Sequence, residues 1–227
     1  MSVFLGQELA RFNALADIMR RTLAELQRAV QGLVVMSAAL EDMYACFLSQ
    51  RVPEAWERAG YPCLKALPAW TEDFFARLDF MGQWLQHGPR PSYWLSGFFF
   101  PQGFMTAVKQ MHARTHRLAI DTLTVGCRVA GFGAETAVAA GAPAEGVYIH
   151  GLFMEGARFD RRSMLMAESR PRSLFDEMPC IWLRPEPAAA SEAGSDGGPD
   201  GLYQCPLYKT SLRAGTLSTT GHSTNFV

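Results

Sequence analysis

Cysteine is scarce and never closely paired in this 227-residue chain. The five cysteines are odd in number and form no Cys-x-x-Cys pair, which argues against both a disulfide framework and a zinc knuckle. The first residues, MSVFLGQELARF, lack the basic start and apolar core of a signal peptide. No window reaches about 18 uninterrupted apolar residues, as a membrane-spanning helix requires. We therefore expect reduced thiols, a cytoplasmic location and no membrane partner.

The chain also lacks an excess of charge of either sign. It has 21 Lys and Arg against 22 Asp and Glu, a formal net charge of −1, so no basic field gathers phosphates and we expect no nucleic-acid partner. Hydrophobic residues make up 48% and charged residues 19% of the chain, which excludes global disorder. This apolar content exceeds what one isolated domain needs, so we expect part of the apolar surface to face a partner.

No complete catalytic or ligand-binding motif is present. The segment Lys209-Thr210-Ser211 matches the end of a phosphate-binding loop, but the glycines that precede the lysine in such loops are missing. His112 and His116 are four residues apart, but no Glu stands between them, so the His-Glu-x-x-His pattern is absent, and a catalytic zinc also needs a third ligand. Gly221-His222-Ser223 places a base beside a hydroxyl, but neighbouring residues of an extended segment point to opposite faces. We expect no catalytic residue, no cofactor-binding residue and no metal ligand.

The first part of the chain has helical periodicity. One long amphipathic helix is predicted from Phe4 to Val30, and its length of about 40 Å suits packing along a large neighbour. An ordinary core helix explains the pattern equally well. The apolar positions recur every three or four residues: Leu5, Leu9, Phe12, Leu15, Met19, Leu23, Leu26 and Val30.

Two further helices are predicted before residue 90. Ser37 is a suitable N-cap for a helix that ends near Ser49. Pro68 opens the next helix, and His87-Gly88-Pro89 ends it, since a histidine, a glycine and a proline there all act as stop signals. The buried face of this helix is predicted to contain Trp70, Phe74, Leu78, Met81 and Leu85.

The stretch from Tyr93 to Lys109, YWLSGFFFPQGFMTAVK, joins the two halves of the predicted fold. Its apolar run is too short to cross a membrane and too apolar to lie in water, so we expect it in a core. Pro101 suits the first turn of a helix in which Phe104, Val108 and Met111 share one face.

After this helix the pattern favours strands and turns. Gly146 to Phe153 alternates as one strand, and Glu155-Gly156 is predicted to turn a hairpin. Residues 133–145 and 185–201 are predicted to be flexible loops. The remaining strand predictions are Leu123 to Phe132, Ser163 to Ala167, Cys180 to Leu183, Tyr203 to Tyr208 and Ser223 to Val227. The predicted fold class is α+β: a helical half, then a small antiparallel β-barrel or sandwich. The sequence does not decide whether the strands at the C-terminal end complete the barrel.

Six segments of the chain match a known family in length and order: Arg11 to Ser37, Tyr61 to Leu67, Trp94 to Phe104, Gly146 to Arg162, Met178 to Pro185 and Pro206 to Val227. On these segments the chain resembles the C-terminal region of dynein heavy chains, and the axonemal (ciliary) type more than the cytoplasmic type.

The resemblance implies a non-catalytic region that follows the last module of a six-module ATPase ring and modulates an ATP-driven, minus-end-directed microtubule motor of cilia and flagella. Residues 1–117 would pack on the ring, and residues 118–227 would form the barrel-like part. ATP and magnesium would belong to the full-length motor. The implied partners are the ring of the same heavy chain, the dynein intermediate, light intermediate and light chains, and microtubules through a stalk that this chain lacks. The implied locations are the cytoplasm, the cytoskeleton and the axoneme.

Nine residues of the matching segments are expected to be structural or interface anchors: Trp94, Gly97, Phe98, Phe99, Phe100, Phe104, Gly151, Gly156 and Trp182. The ring, stalk, linker and tail of a heavy chain are absent from this sequence. It is therefore expected to be a fragment of such a motor, a partial gene model or a free-standing protein-binding module derived from one. The dynein arm, the subunits that it contacts and any hydrolytic role are not decided by these residues.

Overall fold

The computed structural model describes residues 1–173 and 175–188. The predicted α+β class is confirmed, since helices dominate the first part and short strands the second. Backbone contacts divide the chain into a helical unit, Ser2–Gly88, and a mixed unit that begins at Pro89. The predicted segments 189–201, Tyr203 to Tyr208 and Ser223 to Val227 lie outside the described residues.

The helical unit consists of four helices, and the three predicted ones are confirmed. Ser37 caps the second as expected, because its hydroxyl accepts a hydrogen bond from the Leu40 N–H at 3.4 Å. The third helix was missed: it has six residues after Pro53, too few to show a helical period. The helices are α1 Ser2–Val30, α2 Ala38–Leu48, α3 Glu54–Ala59 and α4 Leu67–His87.

Aromatic side chains build the core of the helical unit. Trp70 stacks on Phe74 with ring centroids 5.7 Å apart, and Phe12 of α1 lies 6.3 Å from Phe74. The prediction for Leu85 is wrong, because this side chain is 65% exposed. Trp84 occupies the buried position of that turn, and successive helical residues are about 100° apart, so both cannot face the core.

Within its described residues, 89–173 and 175–188, the mixed unit contains two helices and eight short strands. The helices are α5 Pro101–His116 and α6 Ala134–Ala140, and a single 3-10 turn at Leu95–Gly97 precedes α5. Pro101 starts α5 as predicted. The strands are β1 Ser92–Trp94, β2 Leu123–Val129, β3 Val147–His150, β4 Phe153–Glu155, β5 Ala157–Asp160, β6 Leu165–Glu168, β7 Phe175–Glu177 and β8 Ile181–Pro187.

The strands form one four-stranded sheet and two smaller ones. The larger sheet has the order β1-β3-β8-β2, with β1 parallel to β3 and the other pairs antiparallel. The pairs β4–β7 and β5–β6 form two-stranded sheets. Over residues 1–173 and 175–188 no barrel closes, so the sandwich-like alternative of the prediction fits the strands.

Four details of the predicted strand region are wrong. Residues 134–140 form α6 and not a loop, because alanine has high helix propensity even where no apolar stripe marks the helix. Residues Pro185–Pro187 belong to β8. The chain turns at Gly151, with φ +81°, so the predicted strand from Gly146 to Phe153 is two strands. Gly156 is not a hairpin turn, since β4 pairs with β7 and β5 with β6.

The boundary between the compact units differs from the predicted division at residue 117. It lies between Gly88 and Pro89, because α5 contacts β2 and β8. The functional division into residues 1–117 and 118–227 stays a prediction.

Candidate docking surface

Three of the predicted anchors meet at one indole ring. The Trp94 Nε1–H donates to Ser96 Oγ at 2.8 Å, and the Ser96 hydroxyl donates to the Gly151 carbonyl at 2.6 Å. A Cβ on Gly97 would lie 2.8 Å from Trp94 Cδ2, and one on Gly151 would overlap the same ring. The two glycines therefore leave the space that Trp94 occupies.

Gly151→Ala is expected to destabilise the fold by about 2 kcal/mol more than Gly156→Ala. Both glycines have positive φ, +81° and +69°, so both substitutions strain the backbone. At Gly151 the new methyl group would overlap the Trp94 ring. At Gly156 no neighbouring atom would lie within 4 Å of the new methyl group. Urea unfolding of the two variants measures the difference, and equal losses would contradict the packing role of Gly151.

The other predicted anchors differ in burial. Phe98 and Phe104 are buried, with ring centroids 4.9 Å apart, and Phe99 is half-buried. Phe100 is 45% exposed. Trp182 is half-buried, and its Nε1–H donates to the Glu145 carbonyl at 2.8 Å. The three phenylalanines of the aromatic run therefore differ in position: Phe98 lies in the core, Phe99 lies partly in it, and Phe100 lies at the surface.

Ser92, His150 and Cys180 form a polar cluster that sequence reasoning missed. Ser92 Oγ lies 2.7 Å from His150 Nδ1 and 3.9 Å from Cys180 Sγ. Burial, with a smaller effect of the Arg90 charge, lowers the pKa of His150 to about 4. Burial also raises the pKa of the Cys180 thiol, and a protonated thiol is a poor nucleophile. The cluster is therefore suited to joining β1, β3 and the start of β8.

The stability of the fold is expected to fall as the pH decreases from about 6.5 to about 4 because of His150. The unfolded protein takes up a proton at this histidine near pH 6.5, whereas the folded protein does so only near 4, so acid favours the unfolded state by at most about 3 kcal/mol. His150→Gln keeps a hydrogen-bond acceptor for Ser92 but cannot titrate. Urea unfolding across this pH range should show a flatter profile for the variant, and parallel profiles would contradict the assignment.

The remaining candidates from the sequence are the histidine pair of α5 and two residues near the C-terminal end of the sequence. His112 and His116 lie near the end of α5 with ring centroids 4.2 Å apart, but residues 1–173 and 175–188 contain no group of three or more potential metal ligands. Lys209 and His222 lie outside the described residues. None of the helices in the described part combines the length and hydropathy needed to cross a membrane.

Another feature is an apolar surface formed by the last turns of α1, the connection to α2 and α2 itself. Leu26 and Ala29 of α1 pack with Leu40 and Met43 of α2, but other apolar residues of the same segment stay in solvent. Val35 is 86% exposed. We define the α1–α2 surface by these exposed residues: Leu23, Val30, Leu33, Val34, Val35, Tyr44 and Leu48.

This surface continues the predicted stripe of α1. The stripe is buried at Leu5, Phe12 and Leu15, whereas Leu23 is 42% and Val30 60% exposed. A groove of about 340 Å³ runs between α1 and α2, with Leu23, Leu26, Gln27, Val30, Gln31, Tyr44 and Phe47 along it. Contiguous exposed apolar patches are typical of protein interaction sites, so this end of the helical unit is the candidate docking surface.

The comparisons with known proteins identify the family. The family described as the C-terminal domain of dynein heavy chains matches residues 1–227. Dynein axonemal heavy chain 1 of Mus musculus is 46% identical over 227 residues, which make up 100% of the present sequence and 5% of the relative.

Two human proteins show the same relationship. Dynein axonemal heavy chain 12 is 47% identical over 227 residues and dynein axonemal heavy chain 3 is 44% identical over 227 residues. These alignments span the whole of the present sequence but only 7% and 5% of the two relatives. The protein thus spans a small fraction of the length of its relatives, and it belongs to the family formed by the C-terminal domains of dynein heavy chains.

Proposed function

We propose that the protein is the non-catalytic C-terminal region of an axonemal dynein heavy chain, where it packs on the ATPase ring and modulates motility. The exposed α1–α2 surface carries this proposal. Seven apolar side chains that the helical unit leaves in solvent favour a role in which they are covered by another part of the heavy chain.

The sequence supports the non-catalytic part of the proposal. It has no glycine-rich loop to cradle a phosphate, so ATP and magnesium would bind elsewhere in the motor. In this role the protein reaches microtubules through the stalk of the same heavy chain, and it joins the intermediate, light intermediate and light chains through the assembled dynein. It would lie in the cytoskeleton of the cilium or flagellum, at the axoneme.

Leu48→Glu in the full-length heavy chain is expected to lower microtubule gliding velocity per ATP hydrolysed. Leu48 is 71% exposed, so the substitution leaves the fold of the helical unit intact. In an interface that excludes water, an unpaired carboxylate weakens the free energy of docking by roughly 3–5 kcal/mol. This loss lowers the docked population by about two orders of magnitude or more. Gliding assays measure the velocity and steady-state assays measure the ATP turnover, and the velocity divided by the turnover is compared between the variant and the unmodified motor.

Leu64→Glu is the matched control, because it makes the same change at a residue that is 74% exposed and outside the α1–α2 surface. The control should glide like the unmodified motor. Thermal unfolding of the isolated 227-residue protein should show no difference between the two variants. If Leu48→Glu alters neither gliding nor ATP turnover, the proposed docking role is wrong, and a free-standing binding module becomes the better account.

A further inference from the structure

The groove between α1 and α2 has features that select one kind of occupant. Its walls carry the apolar side chains of Leu23, Leu26, Val30, Tyr44 and Phe47. Leu26 is buried, whereas Leu23, Val30 and Tyr44 are 42%, 60% and 45% exposed. The side chain at the bottom of the groove is therefore already covered by the protein, whereas those along its sides are exposed and could contact a second apolar element.

The groove offers few backbone hydrogen bonds to that element. Both walls are α-helices, whose interior N–H and C=O groups bond within each helix. At the end of α1 the N–H groups of Gln31, Gly32 and Leu33 already bond to the carbonyls of Gln27, Ala29 and Arg28. An extended peptide would lose the hydration of its own backbone groups there without replacement. A helix satisfies its backbone internally, so a helix fits this groove and a strand does not.

The dimensions also suit a helix. Leu23 and Val30 are two helical turns apart, about 10 Å along α1, and α2 has 11 residues, about 16 Å in length. Apolar side chains of an incoming helix at positions i, i+3 or i+4 and i+7 repeat over the same distance. Such a helix would need one apolar face two to three turns long.

We propose that the α1–α2 groove receives an amphipathic helix from the same dynein heavy chain. This inference rests on the proposed function and specifies the element that docks. The relatives carry this region as 5–7% of one polypeptide, so the rest of the heavy chain is covalently attached. Attachment raises the effective concentration of a segment to the millimolar range, which favours it over a separate protein of moderate affinity.

A photo-crosslinking experiment tests the inference in the purified full-length heavy chain. p-Benzoylphenylalanine replaces Tyr44, an aromatic residue of the groove, and in a separate preparation it replaces Glu25, an exposed residue on the opposite side of α1. After irradiation and proteolysis, mass spectrometry identifies the captured peptide. We expect the Tyr44 probe to capture a peptide of the same heavy chain with apolar residues at helical spacing, and the Glu25 probe to capture none.

A second variant tests whether the captured peptide lies in the groove. Leu23→Glu places a charge on the groove wall and should abolish the Tyr44 cross-link, whereas Arg21→Glu, on the polar side of α1, should retain it. Capture of a peptide without helical apolar spacing, of residues 189–227 of this protein or of a second copy would overturn the inference. So would a cross-link that survives Leu23→Glu.

A third probe position distinguishes this inference from the proposed function. Val35 lies in the α1–α2 connection, outside the groove, and is 86% exposed. If a probe at Val35 captures the ATPase ring while the Tyr44 probe captures nothing, the region docks on the ring but the groove is empty. In that case the inference fails and the proposed function stands. If neither probe captures the heavy chain, both fail.

Discussion

Phe98→Ala is expected to lower the free energy of unfolding by about 3–5 kcal/mol, and Phe100→Ala by about 1 kcal/mol or less. The rings belong to one aromatic run, but Phe98 is 3% exposed and Phe100 45% exposed. Phe98 stacks on Phe104, with ring centroids 4.9 Å apart, and Tyr93 lies at the same distance from Phe104. Truncating Phe98 opens a cavity in this aromatic cluster, which surrounding side chains refill only in part.

Urea unfolding of the purified protein, followed by tryptophan fluorescence, measures both variants. Phe100→Ala is the matched control, because it removes the same atoms from a residue two positions away. If the two variants unfold at the same urea concentration, the buried role assigned to Phe98 is wrong.

Asp73→Ala is expected to destabilise the helical unit by about 3–5 kcal/mol. The Asp73 carboxylate accepts hydrogen bonds from Arg77 Nε at 2.5 Å and Lys65 Nζ at 2.6 Å. The side chains of Asp73 and Arg77 are only 5% and 9% exposed. Without the carboxylate the guanidinium of Arg77 keeps its desolvation cost and loses its counter-ion, although it still lies 3.7 Å from the centre of the Tyr61 ring.

Asp17→Ala is the control for this pair. Asp17 and Arg20 also form an ion pair, at 3.0 Å, but their side chains are 64% and 77% exposed, and such pairs contribute about 0–1 kcal/mol. Unfolding by urea at neutral pH compares the two variants. A loss below about 1 kcal/mol for Asp73→Ala would show that the buried pair contributes no more than a surface pair.

Acid should weaken the same interaction. Burial opposes the ionisation of Asp73, but the hydrogen bonds from Lys65 and Arg77 outweigh it and hold the pKa of this carboxyl below its usual value. The unfolded protein therefore takes up a proton at this carboxyl at a higher pH than the folded protein. The stabilisation by ionised Asp73 is complete at neutral pH and is lost as the pH falls through the acidic range.

The helices could be predicted because their signals are local. Ser37 and His87-Gly88-Pro89 act on their own helix ends, and the apolar stripe of α1 repeats from Leu5 to Val30. Helix α6 was not predicted, because its seven residues carry too little local signal. Alanine has helix propensity there, but the small side chains give no apolar period.

The tertiary relations could not be predicted from one sequence. Ser92 is 58 residues from His150 and 88 from Cys180, so only the parallel pairing of β1 with β3 and the position of β8 bring them together. The sequence did predict a long amphipathic α1 whose length suits packing along a large neighbour, and an apolar content above what one isolated domain needs. It did not show that Leu23 and Val30 would be left uncovered, because that depends on where α2 packs.

Hydroxyl-radical footprinting tests the docking claim most directly. It compares the oxidation rates of Leu23, Tyr44 and Leu48 in the isolated protein and in the full-length heavy chain, with Leu64 as the internal reference. These residues are all exposed in the isolated protein, between 42% and 74%. If the α1–α2 surface docks, the rates of the three surface residues fall in the heavy chain while the Leu64 rate stays the same. Equal rates for all four residues in both preparations would contradict the docking claim.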